Sequence, residues 1–222
     1  MKPHANHQLL IVLVLAIVTL VAVACNSGNQ RPQSASSSSF PATPATTASP
    51  SSSMGDMSTG HFMRNSPNAA IAPYDLQFID TMSEHHRSAI QMAKIAEAKA
   101  QHAELKALAR NIVDSQQREL EQMKTWRDKW YPGKPEAINM DLPGMMESVM
   151  DMGKLNSATG AQFDLTFIAM MTSHHSGAVA MAKDAEARAE HPEIKQLARQ
   201  IVNAQQKEIE QMNKWKAAWV GN

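Results

Sequence analysis

Apolar residues recur at helical spacing through two long segments of the chain. In the first segment, at about 100° per residue, eight side chains fall within an arc of roughly 120°. These eight are Phe78, Met82, His85, His86, Ala89, Met92, Ala93 and Ala96. The polar residues Asp80, Glu84, Arg87, Gln91 and Lys94 fall on the opposite side. The pattern therefore predicts an amphipathic helix with one buried face.

A second helix follows a break at residues 101–103 and extends to Trp130. Its buried face is predicted to carry Leu105, Leu108, Ile112, Gln116, Glu119, Met123, Trp126 and Trp130. Because a single helical hairpin cannot bury such a face by itself, this hairpin needs a partner.

The partner lies in the same chain as an internal repeat. Residues 163–219 repeat residues 74–130 at a constant offset of 89, and 31 of these 57 positions are identical. Two such hairpins packed face to face predict an all-α four-helix bundle.

The predicted bundle domain covers residues 74–222, with the first hairpin at 74–131 and the second at 161–222. The Met-rich segment 132–160 between them is too long for a tight turn. It favours a crossover of the kind that joins the two hairpins of ferritin-like bundles, although a plain up-down bundle stays open.

The first 73 residues are predicted to lie outside the bundle. Residues 1–25 have Lys2 followed by an apolar run, which is typical of an export signal. Small residues before Cys25 resemble the end of a bacterial lipoprotein signal, in which Cys25 would be acylated; an ordinary secretory signal and an uncleaved anchor helix stay open. Residues 26–73, rich in Ser, Pro and Thr, predict a disordered tether with a Met-rich end.

Composition narrows the classes of function. Lys and Arg balance Asp and Glu at 21 each, so nothing favours electrostatic binding to nucleic acid or to an anionic membrane. The membrane would be reached only through the signal or a lipid anchor. Cys25 is the single cysteine, which excludes a disulfide framework and a thiolate metal site. Methionine is the unusual residue, with 16 copies.

Paired histidines on the buried face are the first candidate metal ligands. They are His85 and His86 in one repeat and His174 and His175 in the other. Neighbours on a helix are about 100° apart, so each pair straddles the apolar stripe. A buried polar group without a partner costs roughly 1–3 kcal/mol. Metal coordination would offset that cost, and so would hydrogen bonds to Glu119 and Glu208.

Methionines beside these pairs indicate which metal would bind. Met82 and Met171 lie one helical turn before the histidine pairs and can share an ion with them. Thioether sulfur is a soft ligand that suits Cu(I) or Ag(I), and imidazole binds both Cu(I) and Cu(II). Further candidate ligands on the helices, where core packing is the alternative, are Met92, Met123, Met181 and Met212.

Methionine clusters outside the hairpins are candidates for metal capture, with a flap packed over the bundle as the alternative. They are Met145, Met146, Met150 and Met152 in the crossover, and Met54, Met57, His61 and Met63 before the first repeat.

Glu119 and Glu208 also raise the possibility of a carboxylate di-iron site. That site requires Glu-x-x-His on two helices. Neither repeat contains it, because Gln122 and Gln211 stand where the histidines would be. Orientation of a ligating imidazole by Glu119 and Gln116 fits the sequence better.

The pattern Phe-Ile-x-x-Met-x-x-His-His-x-x-Ala, followed by Met-Ala and by Gln-Gln-x-Glu-x-Glu-Gln-Met-x-x-Trp, resembles an uncharacterised-domain family of exported bacterial proteins that includes the CopM-type copper-binding proteins. The resemblance covers about residues 54–222. It implies a ferritin-like bundle in the periplasm or outside the cell that binds Cu(I), and often Ag(I), and contributes to copper tolerance. The residues that match the family pattern are His85, His86, His174, His175, Met82 and Met171.

The sequence thus predicts a copper-sequestering or copper-carrying protein of the cell envelope, and not an enzyme. Its partners would be metal ions and a copper efflux or sensor component. A ferritin-like metal oxidase and a purely structural or partner-binding bundle are the alternatives.

Overall fold

The computed structural model describes residues 64–220, and five α-helices make up most of this part. They are α1 (Tyr74–Lys99), α2 (Ala103–Trp130), α3 (Met152–Ser157), α4 (Gly160–Arg188) and α5 (Pro192–Trp219). Short 3-10 turns occur at Ala69–Ile71 and Met146–Ser148. Within residues 64–220, no helix combines the length and the hydropathy that crossing a bilayer requires.

The two hairpins turn at equivalent positions of the repeat. Ala100 and Ala189 leave helical geometry with ψ angles of 143° and 144°, which ends α1 and α4. Pro192 then stands in the first turn of α5, where its missing N–H removes no helical hydrogen bond. The two turns therefore have the same backbone geometry.

The four long helices form one bundle. Helix α1 packs on α2 and α4 packs on α5, and the hairpins meet mainly through α1 and α4. These two central helices are antiparallel: the hydroxyl of Tyr74 at the start of α1 donates to Asp184 near the end of α4 at 2.8 Å. The all-α four-helix bundle predicted from the sequence is confirmed.

Buried apolar residues form two clusters, here called core A and core B, which the repeat relates to each other. In core A, Phe78, Ile79, Met82 and Met123 of the first hairpin pack with Ala178, Met181, Ala182, Ala185, Ile194, Leu197 and Ile201 of the second. In core B, the repeat equivalents Phe167, Ile168, Met171 and Met212 pack with Ala89, Met92, Ala93, Ala96, Leu105, Leu108 and Ile112. The bundle therefore has a pseudo-twofold axis between α1 and α4.

The crossover runs along one side of α1 and changes the environment of Asp80. The helical pattern predicts Asp80 on the solvent side, but this residue is only 6% exposed. Its carboxylate accepts hydrogen bonds from Arg127 at 2.7 Å and from the backbone N–H of Ala137 at 2.9 Å. The amphipathic pattern identifies the face of α1 that meets the other hairpin. It does not show that the crossover covers a second face of the same helix.

Residues just before α1 are ordered against the crossover. The N–H of Ser66 donates to the carbonyl of Ile138 at 2.8 Å, and Ala69 is buried. The last part of the segment predicted as a tether is therefore packed on the bundle. The predicted signal at 1–25, the lipid attachment at Cys25, the tether up to residue 63 and the candidate ligands Met54, Met57, His61 and Met63 lie outside the described residues.

An aspartate at the start of each hairpin caps the turn of the other one. Asp164 accepts hydrogen bonds from the N–H groups of Gln101 and His102 at 3.0 Å and from the His102 ring Nδ1 at 2.6 Å. Asp75 does the same for the N–H groups of Glu190 and His191 and for the His191 ring. Each carboxylate therefore sits at the N-terminus of a helix from the other hairpin, which joins the hairpins at both ends.

Candidate metal centre

Four histidines form a buried layer between core A and core B. His85, His86, His174 and His175 have no exposed surface. The rings of His85 and His174, one from each central helix, lie with their centroids 3.8 Å apart. Rings within each pair are 6.2 Å and 6.4 Å apart, so His86 and His175 flank this inner pair. The sequence prediction that both pairs face the interior agrees with this geometry.

The outer imidazoles are held by carboxylates. The Nε2 atom of His86 is 2.5 Å from Glu119, and that of His175 is 2.7 Å from Glu208. Each glutamate lies on the second helix of the hairpin that carries its histidine, and each is partly exposed. Because an ionised carboxylate only accepts, Nε2–H is the donor, and a neutral ring then has its lone pair on Nδ1. These are the hydrogen bonds to Glu119 and Glu208 that the sequence offered beside metal coordination, whereas the predicted contact from Gln116 to an imidazole is absent.

The inner imidazoles are held by hydroxyls and a backbone carbonyl. Nε2 of His85 is 3.1 Å from the carbonyl of His174 and 2.8 Å from the hydroxyl of Ser148. Nε2 of His174 is 3.0 Å from the hydroxyl of Ser88. The carbonyl can only accept, so His85 also donates through Nε2 and keeps its lone pair on Nδ1.

All four Nδ1 atoms are buried without a hydrogen-bond partner. The amide oxygens of Gln116 and Gln205, which are equivalent in the repeat and buried on α2 and α5, are also unpaired. Buried polar atoms are almost always hydrogen-bonded, so a repeated set of exceptions requires an explanation, such as a bound ion.

Burial keeps the inner pair neutral. It lowers the pKa of His85 and of His174 well below the ordinary value of 6.5, and the neighbouring imidazoles of the layer lower both further. A neutral imidazole is the form that ligates a metal.

Methionine sulfurs lie in both cores, on either side of the histidine layer. Met82, Met123 and Met181 are fully buried in core A, and Met92, Met171 and Met212 are fully buried in core B. The hydroxyl of Ser83 is 3.8 Å from the sulfur of Met123. The helix methionines predicted as candidate ligands therefore all belong to the two cores that bound the layer.

The crossover methionines are spread from the core to the surface. Met145 is fully buried in core A, whereas Met146 is 71% exposed. Met150 and Met152 are half-buried against core B. The structure thus packs three of these four as a flap against the bundle and leaves one thioether in solvent.

Within residues 64–220, no group of three or more His, Cys, Asp or Glu side chains converges in a geometry that would hold an ion. A metal at this layer would therefore need a thioether or an amide oxygen beside one or two imidazoles.

Sequence reasoning missed Ser88 and Ser148, the hydroxyls that hold the inner imidazoles. Ser88 had one available signal: it lies on the buried side of α1 three residues after His85, within one helical turn. Ser148 had none, because its position depends on the path of the crossover.

The chain is similar to proteins of one family. A family model described as a domain of unknown function, DUF305, matches residues 29–127 and 75–216. CopM in its Cu(I)-bound form is 40% identical over 65% of this chain and 96% of its own, with a TM-score of 0.58. CopM in its Cu(II)-bound form is 40% identical over 67% of this chain and 99% of its own, with a TM-score of 0.59. CopM has also been solved with Ag bound.

A DUF305 protein of Streptomyces coelicolor, provisionally described as secreted, is 32% identical over 65% of this chain and 91% of its own, with a TM-score of 0.58. A DUF305 fragment from Deinococcus radiodurans is 30% identical over 66% of this chain and 97% of its own, with a TM-score of 0.55. A search of curated proteins found no match.

Proposed function

We propose that this chain, which belongs to the DUF305 family, is a copper-binding protein that holds Cu(I) through imidazole and thioether ligands of its bundle. The observation that carries the proposal is the set of four buried Nδ1 atoms without a hydrogen-bond partner, two in each repeat. Relatives at 40% identity are described as CopM with Cu(I) or Cu(II) bound, which supports copper as the ion.

The energetic cost of the unpaired ring nitrogens supports a bound ion. A buried unsatisfied polar group costs about 1–3 kcal/mol, and the layer holds four such ring nitrogens. The whole stability of a domain is only about 5–15 kcal/mol. Coordination of an ion by Nδ1 offsets the cost, because the lone pair then has a partner.

The surroundings of the layer favour a soft cation. Carboxylates behind His86 and His175 give the arrangement in which a hydrogen-bonded acceptor orients a metal-binding imidazole. Thioethers from core A and core B, on either side of the layer, are the soft ligands that could complete a set of one or two imidazoles. Soft sulfur with imidazole selects Cu(I) or Ag(I) over Mg²⁺, Ca²⁺ or Fe³⁺. Cu(II) could bind through the imidazoles.

Binding, and not turnover, is the activity we propose. Glu119 and Glu208 are each bonded to an imidazole and stand apart from any larger carboxylate cluster in the described residues. A ferritin-like oxidase would use these carboxylates as direct iron ligands. Sequestering or carrying copper needs only the ligands described above.

The exposed thioether of Met146 suits the first capture of an ion, with the other crossover methionines behind it. We further propose export to the periplasm or the cell exterior, where methionine sites keep their ligands in an oxidising environment. In this role the protein would contribute to copper resistance, and a copper efflux or sensor component would be its partner.

Anaerobic titration with Cu(I) against a chromophoric competitor tests the proposal. Replacing His85 and His86 by Ala should remove one portion of the tightly bound copper, and replacing His174 and His175 should remove the other. His102→Gln with His191→Gln is the matched control, since it changes a repeated histidine pair that lies at the hairpin turns. Undiminished copper in the variant lacking all four layer histidines would contradict the proposal. If the stability of that variant changed and its copper content did not, a purely structural bundle would be favoured.

A further inference from the structure

The two inner histidines are equivalent in the repeat, yet their hydroxyl partners come from different parts of the chain. Ser88 on α1 holds Nε2 of His174 at 3.0 Å. The position of α4 that corresponds to Ser88, at the offset of 89, is Gly177. Helix α4 therefore has no hydroxyl at the position equivalent to Ser88, and the pseudo-twofold symmetry is broken at this point.

Ser148 of the crossover supplies the missing group. Its hydroxyl is 2.8 Å from Nε2 of His85, and it donates in turn to the carbonyl of Gly144 at 2.8 Å. A Cβ atom built on Gly177 would lie 2.2 Å from the Ser148 hydroxyl. The Ser148 oxygen thus occupies the space that a serine side chain at position 177 would fill.

The crossover reaches this place because two glycines face each other. Gly144 has a φ of 84°, and a Cβ on it would lie 2.2 Å from the carbonyl oxygen of Gly177. A Cβ on Gly177 would likewise lie 2.3 Å from the carbonyl oxygen of Gly144. Side chains at either position would push the turn off α4. Residues 144–148 therefore rest on α4 through a contact that only this pair of residues permits.

We propose that residues 144–148 form a detachable lid over His85 and that Ser148 positions this imidazole, so the two halves of the layer differ in how readily they exchange copper. The half around His174 is held by Ser88, which is fixed in a long helix. The half around His85 is held by a turn that includes Met146, whose side chain is in solvent. The exchange part of this proposal rests on the proposed copper binding, and the positioning part does not.

Two substitutions separate the hydroxyl from the lid. Ser148→Ala removes the hydroxyl and its bond to the carbonyl of Gly144, and it keeps the two glycines through which the turn rests on α4. Gly177→Ser displaces the turn and gives His85 a helix hydroxyl, as Ser88 gives His174. Ser88→Ala is the matched control in the other half. Circular dichroism checks that each variant folds, and Gly144→Ala is a second way to displace the turn should Gly177→Ser not fold.

Nitrogen chemical shifts of the imidazoles, measured without metal, test the positioning role. Ser148→Ala should shift Nε2 of His85 and leave His174 unchanged, and Ser88→Ala should do the reverse. Gly177→Ser should bring the His85 shift close to that of His174. An unchanged His85 in Ser148→Ala, or equal changes in both rings, would overturn the assignment.

Release of Cu(I) to a chromophoric chelator tests the lid. The unmodified protein should show two phases. Gly177→Ser should accelerate the His85 phase about fivefold, because release no longer has to break the bond between Ser148 and His85 that holds the lid closed, and one net hydrogen bond is worth about that factor. Ser88→Ala should change the other phase. A single phase in the unmodified protein, or no acceleration in Gly177→Ser, would overturn the lid. If no copper binds at all, the proposed function fails, and the metal-free nitrogen shifts still decide the role of Ser148.

Discussion

At the scale of single residues, the state of the imidazoles follows from their neighbours. Glu119 and Glu208 accept from Nε2, which directs the free nitrogen of each outer ring away from the partly exposed carboxylate. The sequence offered these hydrogen bonds as an alternative to metal coordination, since the histidines and the glutamates are predicted on the buried faces of their helices. It could not predict that every Nδ1 would lack a partner, because that depends on all the groups around the layer.

Glu119→Ala should weaken Cu(I) binding in its half of the layer by about 10- to 100-fold, the usual effect of removing a group that orients a ligating histidine. Glu208→Ala should do the same in the other half, and Glu119→Gln, which keeps an acceptor oxygen, should lose less. Competition titration gives the affinities. Equal affinity in Glu119→Ala and the unmodified protein would contradict this role.

At the scale of elements, the cross-hairpin Asp–His pairs fix the docking of the two hairpins. Asp75 and Asp164 lie near the start of their own helices, but each carboxylate caps a helix of the other hairpin. The imidazole of each pair also stacks on a tryptophan, with His102 on Trp219 at 3.6 Å. A local pattern carries no information about such partners from the other repeat.

Asp75→Ala should lower the free energy of unfolding by about 3 kcal/mol, because it leaves two backbone N–H groups and a ring nitrogen without their charged acceptor. Asp164→Ala should cost a similar amount. Asp128→Ala is the control, since its surface pair with Lys124 is worth less than about 1 kcal/mol. Urea unfolding measures all three. A cost for Asp75→Ala no larger than that of the control would refute the interpretation.

The crossover is the element whose path the sequence left open. Replacing Met145, Met146, Met150 and Met152 by Leu should lower the amount of Cu(I) bound while the bundle survives, because leucine keeps the volume but has no sulfur. Met140→Leu, in the same segment, is the matched control. Copper content measured after gel filtration tests this, and an unchanged content would remove the crossover from the candidate site.

At the scale of the whole molecule, the buried layer makes stability depend on pH. The pKa values of His85 and His174 are lowered by burial in the folded state. The unfolded chain takes up these protons near pH 6.5 and the folded chain does not. The copper-free bundle should therefore keep its full stability above about pH 6.5 and lose it as the pH falls toward the lowered values.

The loss should reach at most about 1.4 kcal/mol per pH unit for each of the two histidines. Urea unfolding at about pH 7, 6 and 5 measures it, and a variant with Gln at both positions should show a smaller slope. A slope that is the same in both proteins would mean that other groups carry the acid sensitivity.

The fold as a whole could be predicted from the sequence because the same helical pattern occurs in both repeats. Periodicity identified the face of α1 that meets the other hairpin, and the common offset identified its counterpart on α4. The positions at which the two repeats differ in their surroundings could not be predicted. Asp80 is covered by the crossover and Ala169 is its equivalent, while Ser148 takes a place that Gly177 leaves open. These features depend on how one irregular segment crosses the surface, which no period describes.

The reciprocal Asp–His pairs have a consequence for chains of half this length. Asp75 contacts His191 and Asp164 contacts His102, so each hairpin contributes one aspartate and one histidine to the pairing. Reciprocity of this kind defines an isologous interface between identical subunits. A chain with only the first hairpin would carry both members, Asp75 and His102, and could close the same bundle by associating with a second copy of itself. The architecture is that of a C2 homodimer fused into one polypeptide, and the crossover is the part that such a dimer would lack.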